Sequence, residues 1–248
     1  MCKIRGGGIA LEGTEGKPFE SLQAAINGND EVIIIASNIT ITECLNIERA
    51  VTIAANTDVT VIDYSYYDGY DNAFYVKDGG KLTLGGGSGV LTFKQNPSKN
   101  VASIATVSSN ATIEININNN VKFTDNSYYW ISMNAGNGPC LNITGGEFSN
   151  NSKVPIYLNN ASVNCHMSGG VISNNTDTVT CAGIYVNKGN LTITGGDITN
   201  NTVTGNSSLS GSSIRVPSTS NGSVIVNGET LTANTTYTKN IIDGKPQE

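Results

Sequence analysis

Two carboxylates, Glu147 and Asp197, hold matching places in the segments Gly145-Gly-Glu-Phe148 and Gly195-Gly-Asp-Ile198. Paired acids on one face are what glycoside hydrolysis needs: one protonates the leaving oxygen, and the other attacks or activates water. A third segment of the same form, Gly169-Gly-Val-Ile172, puts Val171 where a further polar group would be wanted. Glu147 and Asp197 are therefore a catalytic candidate with a gap in it, and no other catalytic residue is expected. Lyase chemistry would need a calcium-binding acidic cluster beside a basic residue. Arg49 and Arg215 stand far from any such cluster in the repeat frame. The single histidine, His166, has no second histidine or aspartate beside it and reads as a solvated surface residue. The cysteines Cys2, Cys44, Cys140, Cys165 and Cys181 are scattered and form no C-x-x-C, so zinc and thioredoxin-like chemistry drop out. They read as mostly free, buried thiols. No metal and no cofactor is expected.

Binding chemistry has better candidates. Tyr64, Tyr66, Tyr67 and Tyr70 fall with three aspartates in the nine residues Asp63–Asp71. Tyrosine joins flat apolar area to a hydroxyl, which suits glycan or protein contact. The competing reading is a loop whose tyrosines cover the molecule's own apolar wall. Tyr128, Tyr129 and Trp130 form a second aromatic cluster open to the same two readings. Charged residues are only 14% and the net charge is -6, so no basic surface tracks phosphates and nucleic acid is not an expected partner. No apolar run reaches the ~18 residues of a membrane-spanning helix. Met1-Cys2-Lys3 lacks the apolar stretch of a secretory leader, so the chain is expected to be a mature or excised segment, or to stay inside.

The elements that must carry these residues are set by a repeat. A large apolar residue, two small or polar residues and then Asn recur at Phe93–Asn96, Phe123–Asn126, Phe148–Asn151, Ile172–Asn175, Ile198–Asn201 and Leu231–Asn234. Leu141-Asn-Ile-Thr-Gly-Gly-Glu-Phe148, Cys165-His-Met-Ser-Gly-Gly-Val-Ile172 and Leu191-Thr-Ile-Thr-Gly-Gly-Asp-Ile198 align without a gap. Each unit holds short stretches of alternating apolar residues split by Gly or Asn, with no helical period. One such unit cannot bury its own apolar face, so units must stack as coils of about three strands. Stacking sets like residues over like, ~4.8 Å apart, with Phe148, Ile172 and Ile198 in one inward file. Asn96, Asn126, Asn151, Asn175, Asn201 and Asn234 are expected to form a hydrogen-bonded corner ladder, and the Gly-Gly pairs to mark tight corners.

Pro18–Ile26 reads as a short amphipathic helix, with Phe19, Leu22 and Ile26 on one face and Asn27-Gly28 as its stop. Laid across the first coil, it would cover the open end. The predicted organisation is residues 1–30 as N-terminal segment and capping helix, 31–238 as an all-β, single-stranded, right-handed parallel β-helix of about eight coils, and 239–248 as a tail.

The helix followed by strands resembles the start of pectate-lyase-type β-helices (pectin-lyase-like fold). The F-x-x-N copies, the Gly-Gly turns and Ala182-Gly-Ile-Tyr185 resemble the repeats of polymorphic outer-membrane proteins and related adhesin-like β-helix passenger domains, over about residues 74–235. Most copies here read Gly-Gly-x-Phe or Gly-Gly-x-Ile rather than that family's G-G-A-I form. The resemblance implies a secreted or cell-surface protein engaged in adhesion. No C-terminal membrane barrel is visible, so a complete autotransporter is not expected; the chain is expected to be a monomer or part of a longer polypeptide. The leading expectation is a non-enzymatic, adhesin-like module binding a surface glycan or protein. The alternatives are a polysaccharide lyase or glycoside hydrolase, an inactive relative of one, and a purely structural stalk.

Overall fold

The computed structural model describes residues 11–12, 21–64, 72–77, 79–107, 112–178, 181–205, 213–217, 221–231, 236–237 and 239–247. The chain winds as a parallel β-solenoid whose coils have three sides. The first sheet stacks Val32–Ile35, Ala50–Ala54, Lys81–Leu84, Glu114–Ile117 and Cys140–Ile143, each in parallel register with the next. The second stacks Ile39–Ile41, Val59–Asp63, Leu91–Gln95, Val121–Thr124 and Glu147–Ser149. The third stacks Leu45–Ile47, Phe74–Val76, Ile104–Thr106 and Ile131–Met133. Two long strands, Ile156–Ser173 and Ile184–Thr199, then run through third, first and second sides in succession. Ile214–Arg215 adds a last third side, and Asn221–Val226 a last first side. Among the described residues this makes seven complete coils. The expected eighth supplies one side only, because Asn221–Val226 turns back into an antiparallel pair with Glu229–Leu231.

Alternation explains why these segments are strands. Leu91, Phe93 and Gln95 point inward while Thr92 and Lys94 point out, a period of two. Inward residues align in files. Val61, Phe93, Phe123, Phe148, Ile172 and Ile198 lie in register down the second sheet. Phe123 stacks on Phe93 at 5.2 Å and on Phe148 at 4.5 Å. Each of these side chains is 2% exposed or less, and burying one is worth ~1.5–3 kcal/mol.

The corner after the second sheet divides its work between adjacent residues. Asp125, Asn150, Asn174 and Asn200 take φ of 57°, 57°, 55° and 55° and turn the chain. The residues after them, Asn126, Asn151, Asn175 and Asn201, point in and form the ladder. The Asn151 and Asn175 side-chain amides donate to the oxygens of Asn175 (2.8 Å) and Asn201 (2.9 Å). Backbone N–H groups of Asn126, Asn151 and Asn175 donate to the same file. The amides also donate back to the carbonyls of Phe123, Phe148 and Ile172. Asn96 stands off the ladder: its N–H donates to the Asp63 carbonyl and its side chain accepts from Ser98. Asn234 lies outside the described residues.

Both ends are covered. The helix is Leu22–Asn27, shorter than expected, because the Ser21 hydroxyl accepts from the Ala24 N–H and fixes the start there. Pro18 and Phe19 lie outside the described residues. Leu22, Ala25 and Ile26 are buried against the first coil. The Arg49 guanidinium donates to the Ile26, Asp30 and Ala25 carbonyls at 2.7, 2.8 and 3.3 Å, satisfying acceptors at the helix C-terminus. Leu11–Glu12 pairs antiparallel with Val32–Ile35.

At the other end, the expected tail after residue 238 is not a tail. Thr236–Tyr237 runs antiparallel to Ile214–Arg215, and Ile241 pairs antiparallel with Ile198. Ile241 is fully buried, and Ile241–Ile242 folds back on Lys245–Pro246. Reversed strands occupy hydrogen-bonding edges that the last coils would otherwise leave open.

Candidate functional site

The third sheet carries the candidate site on its outer face. Its strands point Tyr75, Ala105, Ser132, Tyr157, Tyr185 and Arg215 outward, in register from coil to coil. Tyr128 and Tyr129 sit at the corner just before Ile131–Met133 and lie over this face. Tyr129 packs on Tyr128 at 4.4 Å and on Tyr157 at 4.8 Å, and Tyr157 stacks on Tyr185 at 5.2 Å. Where the outward residues shrink to Ala105 and Ser132, a groove of about 460 Å³ opens, bordered by Tyr75, Tyr129, Tyr157, Asn134 and Asn159. Among the described residues its lining has no charged side chain.

A buried polar network holds the groove's corner from below. The Gln95 side chain donates to the Tyr129 carbonyl at 2.9 Å and accepts from the Ser127 and Tyr128 N–H groups at 2.9 and 3.0 Å. Gln95 also donates to Ser103 Oγ at 2.8 Å, and Ser103 donates to the Asp63 carboxylate. Lys99 Nζ lies 2.9 Å from each Asp63 oxygen, with 0% and 1% of the two side chains exposed. Removing one partner of such a buried pair costs ~3–5 kcal/mol, because the other charge stays buried alone. Sequence reading missed this network. Its signal was parity: Asp63 and Gln95 fall two residues after inward Val61 and Phe93, so polar side chains had to enter the core.

Burial raises the Tyr129 phenol well above the ordinary tyrosine range, with Tyr128 and Tyr157 beside it adding to the effect. Burial likewise raises Tyr157 and Tyr185. Tyr157 accepts from the Asn187 amide at 3.5 Å, and Asn187 donates to Asn159 Oδ1 at 2.6 Å. Around the groove the face is therefore an uncharged surface of aromatic rings, phenolic hydroxyls and amides, with Arg215 at its far end.

The predicted site residues separate. Tyr64 is 53% exposed and follows buried Asp63 directly. Tyr66, Tyr67 and Tyr70 lie outside the described residues; Asn72, just past them in the sequence, lines the groove. Trp130 is corrected: it is fully buried and offers no surface. Its ring tilts against Phe123 at 5.3 Å, and its Nε1–H donates to Asn151 Oδ1 at 2.8 Å, tying it to the ladder. Its sequence neighbours Tyr128 and Tyr129 reach the groove instead.

Glu147 and Asp197 lie on the second sheet, with Val171 in register between them. Burial pushes the Glu147 carboxyl up, but hydrogen bonds from Ser149 and Lys122 and the Lys122 charge at 2.9 Å bring it below its usual range. Asp197 accepts from the Asp243 N–H at 2.8 Å. Each carboxylate thus has a partner of its own. His166 is exposed, with Nε2 3.0 Å from Thr194 Oγ1. Burial pushes the Cys165 and Cys181 thiols up to about 12.

A second hollow, about 800 Å³, lies between the capping helix and the first coil. Two of its polar side chains are engaged within the cap: Gln23 accepts from the Asn46 N–H at 2.9 Å, and Arg49 is bonded to helix carbonyls. No helix among the described residues is long and apolar enough to cross a membrane. Comparison with protein families, with curated proteins and with solved structures finds no match.

Proposed function

We propose that the chain is a non-enzymatic, adhesin-like binding module, secreted or displayed at a cell surface, that holds a glycan or protein partner on the outer face of its third sheet. One observation carries this reading: aromatic rings and amides converge around a groove on a rigid coil stack, fixed from beneath by the Asp63–Lys99–Ser103–Gln95 network. Binding sites characteristically join apolar aromatic area to a few placed polar groups. The adhesin-like character rests on the F-x-x-N and Gly-Gly motifs alone.

The test is binding of the whole chain to a glycan array and to cell-surface protein fractions, with Tyr129→Ala and Tyr157→Ala as variants. A partner should bind, and each variant should weaken it about tenfold, ~1.4 kcal/mol. Full binding by both variants would overturn the site. Sugar release from polysaccharide that Glu147→Gln abolishes would replace the reading with hydrolysis.

A further inference from the structure

We infer that the groove's ligand is an uncharged, extended polysaccharide lying parallel to the solenoid axis. The inference rests on the binding reading above and narrows it to a ligand class.

The face repeats. Ser132-Met-Asn134, Tyr157-Leu-Asn159 and Tyr185-Val-Asn187 each carry a hydroxyl residue and an amide two positions apart. Ser132, Tyr157 and Tyr185 are in register, and beyond a register shift after Leu158 the Asn187 amide still reaches Asn159 Oδ1 at 2.6 Å. The first sheet and the Phe file show that successive coils translate with little change, by ~4.8 Å each. A row of hydroxyl-bearing residues in register, flanked by amides, therefore runs along the axis. A globular protein partner would match that interval only across the strands of an exposed sheet. An extended chain of equatorially 1,4-linked hexoses advances by about one coil step, ~5 Å, per sugar, so each sugar meets one coil and, neighbours being turned over, the same ring edge returns at every second coil.

Charge narrows the class further. Among the described residues the groove lining is Tyr, Asn, Ser, Thr, Ala and Val. An acidic polysaccharide would bring one carboxylate for each sugar or two, and no Lys or Arg in that lining would meet them. At the column's far end Arg215 is 7% exposed, and Lys77 at the near end is engaged by Glu48 at 3.0 Å. The Tyr129 and Tyr75 rings bordering the small residues Ala105 and Ser132 give a sugar's C–H face an apolar surface to lie against. From Tyr75 to Tyr185 the face spans four coil steps, ~19 Å, the length of about four sugars.

The experiment is calorimetric titration of the full chain with two sets of oligosaccharides, each running from disaccharide to octasaccharide. One is neutral, β-1,4-linked glucose and β-1,4-linked mannose. The other is acidic oligogalacturonate. Affinity for one neutral series should climb with length and level off at about four or five units. Raising salt from ~0.05 to ~0.5 M should change it less than about twofold, because no ion pair forms. Asn159→Ala and Tyr157→Ala should each lose about tenfold, while Tyr157→Phe, which keeps the stacked ring, should lose less. Preference for the acidic series, steep salt dependence, or affinity already complete at the disaccharide would overturn the inference.

Failure here is distinguishable from failure of the binding reading. If a protein or an acidic glycan binds and Tyr157→Ala abolishes it, the site stands and the neutral polysaccharide falls. If Tyr157→Ala leaves every binding event unchanged, both fall.

Discussion

The stacked phenols set a pH signature at the residue scale. Burial raises Tyr129, Tyr157 and Tyr185 above the ordinary value of about 10, so the folded chain holds these protons after an unfolded chain would lose them. Their contribution to stability is complete below pH ~10 and is lost as pH rises through the raised folded values. Ultraviolet titration of tyrosinate should therefore show a late fraction that ionises together with loss of the circular dichroism signal. Ionisation of every tyrosine near pH 10 in a still-folded chain would contradict the packing of this face. Residue roles were only half legible in the sequence. The recurrence of Asn marked the corner, but not that the first of each pair turns the chain while the second bonds inward. Trp130 looked like a partner of Tyr128 and Tyr129, yet in Trp-Ile-Ser the backbone bend sends the indole to Asn151. Three adjacent aromatics at a corner do not share a side, and no local pattern says which one turns in.

At the scale of the element, the Gly-Gly corners were legible as corners and their two separate demands were not. The second glycine of each pair takes a left-handed φ: 76° at Gly146, 81° at Gly170 and 82° at Gly196. At the first, a Cβ would strike the coil before it: at Gly195 the obstacle is the Ser168 carbonyl oxygen, at Gly169 that of Thr144. Backbone oxygens in a hydrogen-bonded stack cannot yield as a flexible side chain can. Gly195→Ala should thus destabilise the chain by ~1–3 kcal/mol, lowering the melting temperature by several degrees. Gly138→Ala is the useful contrast, since it meets open space and carries only the strain of its φ of 65°. Equal melting of Gly195→Ala and wild type would mean that the coils sit farther apart than described. The polar core network was harder to foresee. Parity marked Asp63 and Gln95 as inward, but Lys99 and Ser103 lie in an irregular corner where period-two reasoning stops.

The whole molecule depends on how its stack is closed. The F-x-x-N frame made the coils readable because each repeats its neighbour. The closing strands repeat nothing, so residues 239–248 looked like a tail. Ile241 finds its partner at Ile198, and Asn240 accepts from the Asn200 N–H at 3.1 Å, across separations that no local pattern encodes. A parallel stack ends in an open row of N–H and C=O groups, which templates addition of another chain. Strands of reversed direction end that template. The Gly244 N–H donates to the Gly196 carbonyl at 2.8 Å and the Asp243 N–H to Asp197, so the closure also ties into the last Gly-Gly corner. Shortening the chain to residues 1–235 removes these contacts and leaves the ladder and the Phe file intact. Far-ultraviolet circular dichroism should then keep its β signal while light scattering on a sizing column shows concentration-dependent association. Ile241→Asp, which leaves every residue in place but puts a charge at a fully buried position, should shift the protein the same way. If both variants remain monomeric at the concentrations where wild type is monomeric, the reversed strands do not shield the edge. Stability of the last coils would then have to come from coil-to-coil packing alone, as in the middle of the stack.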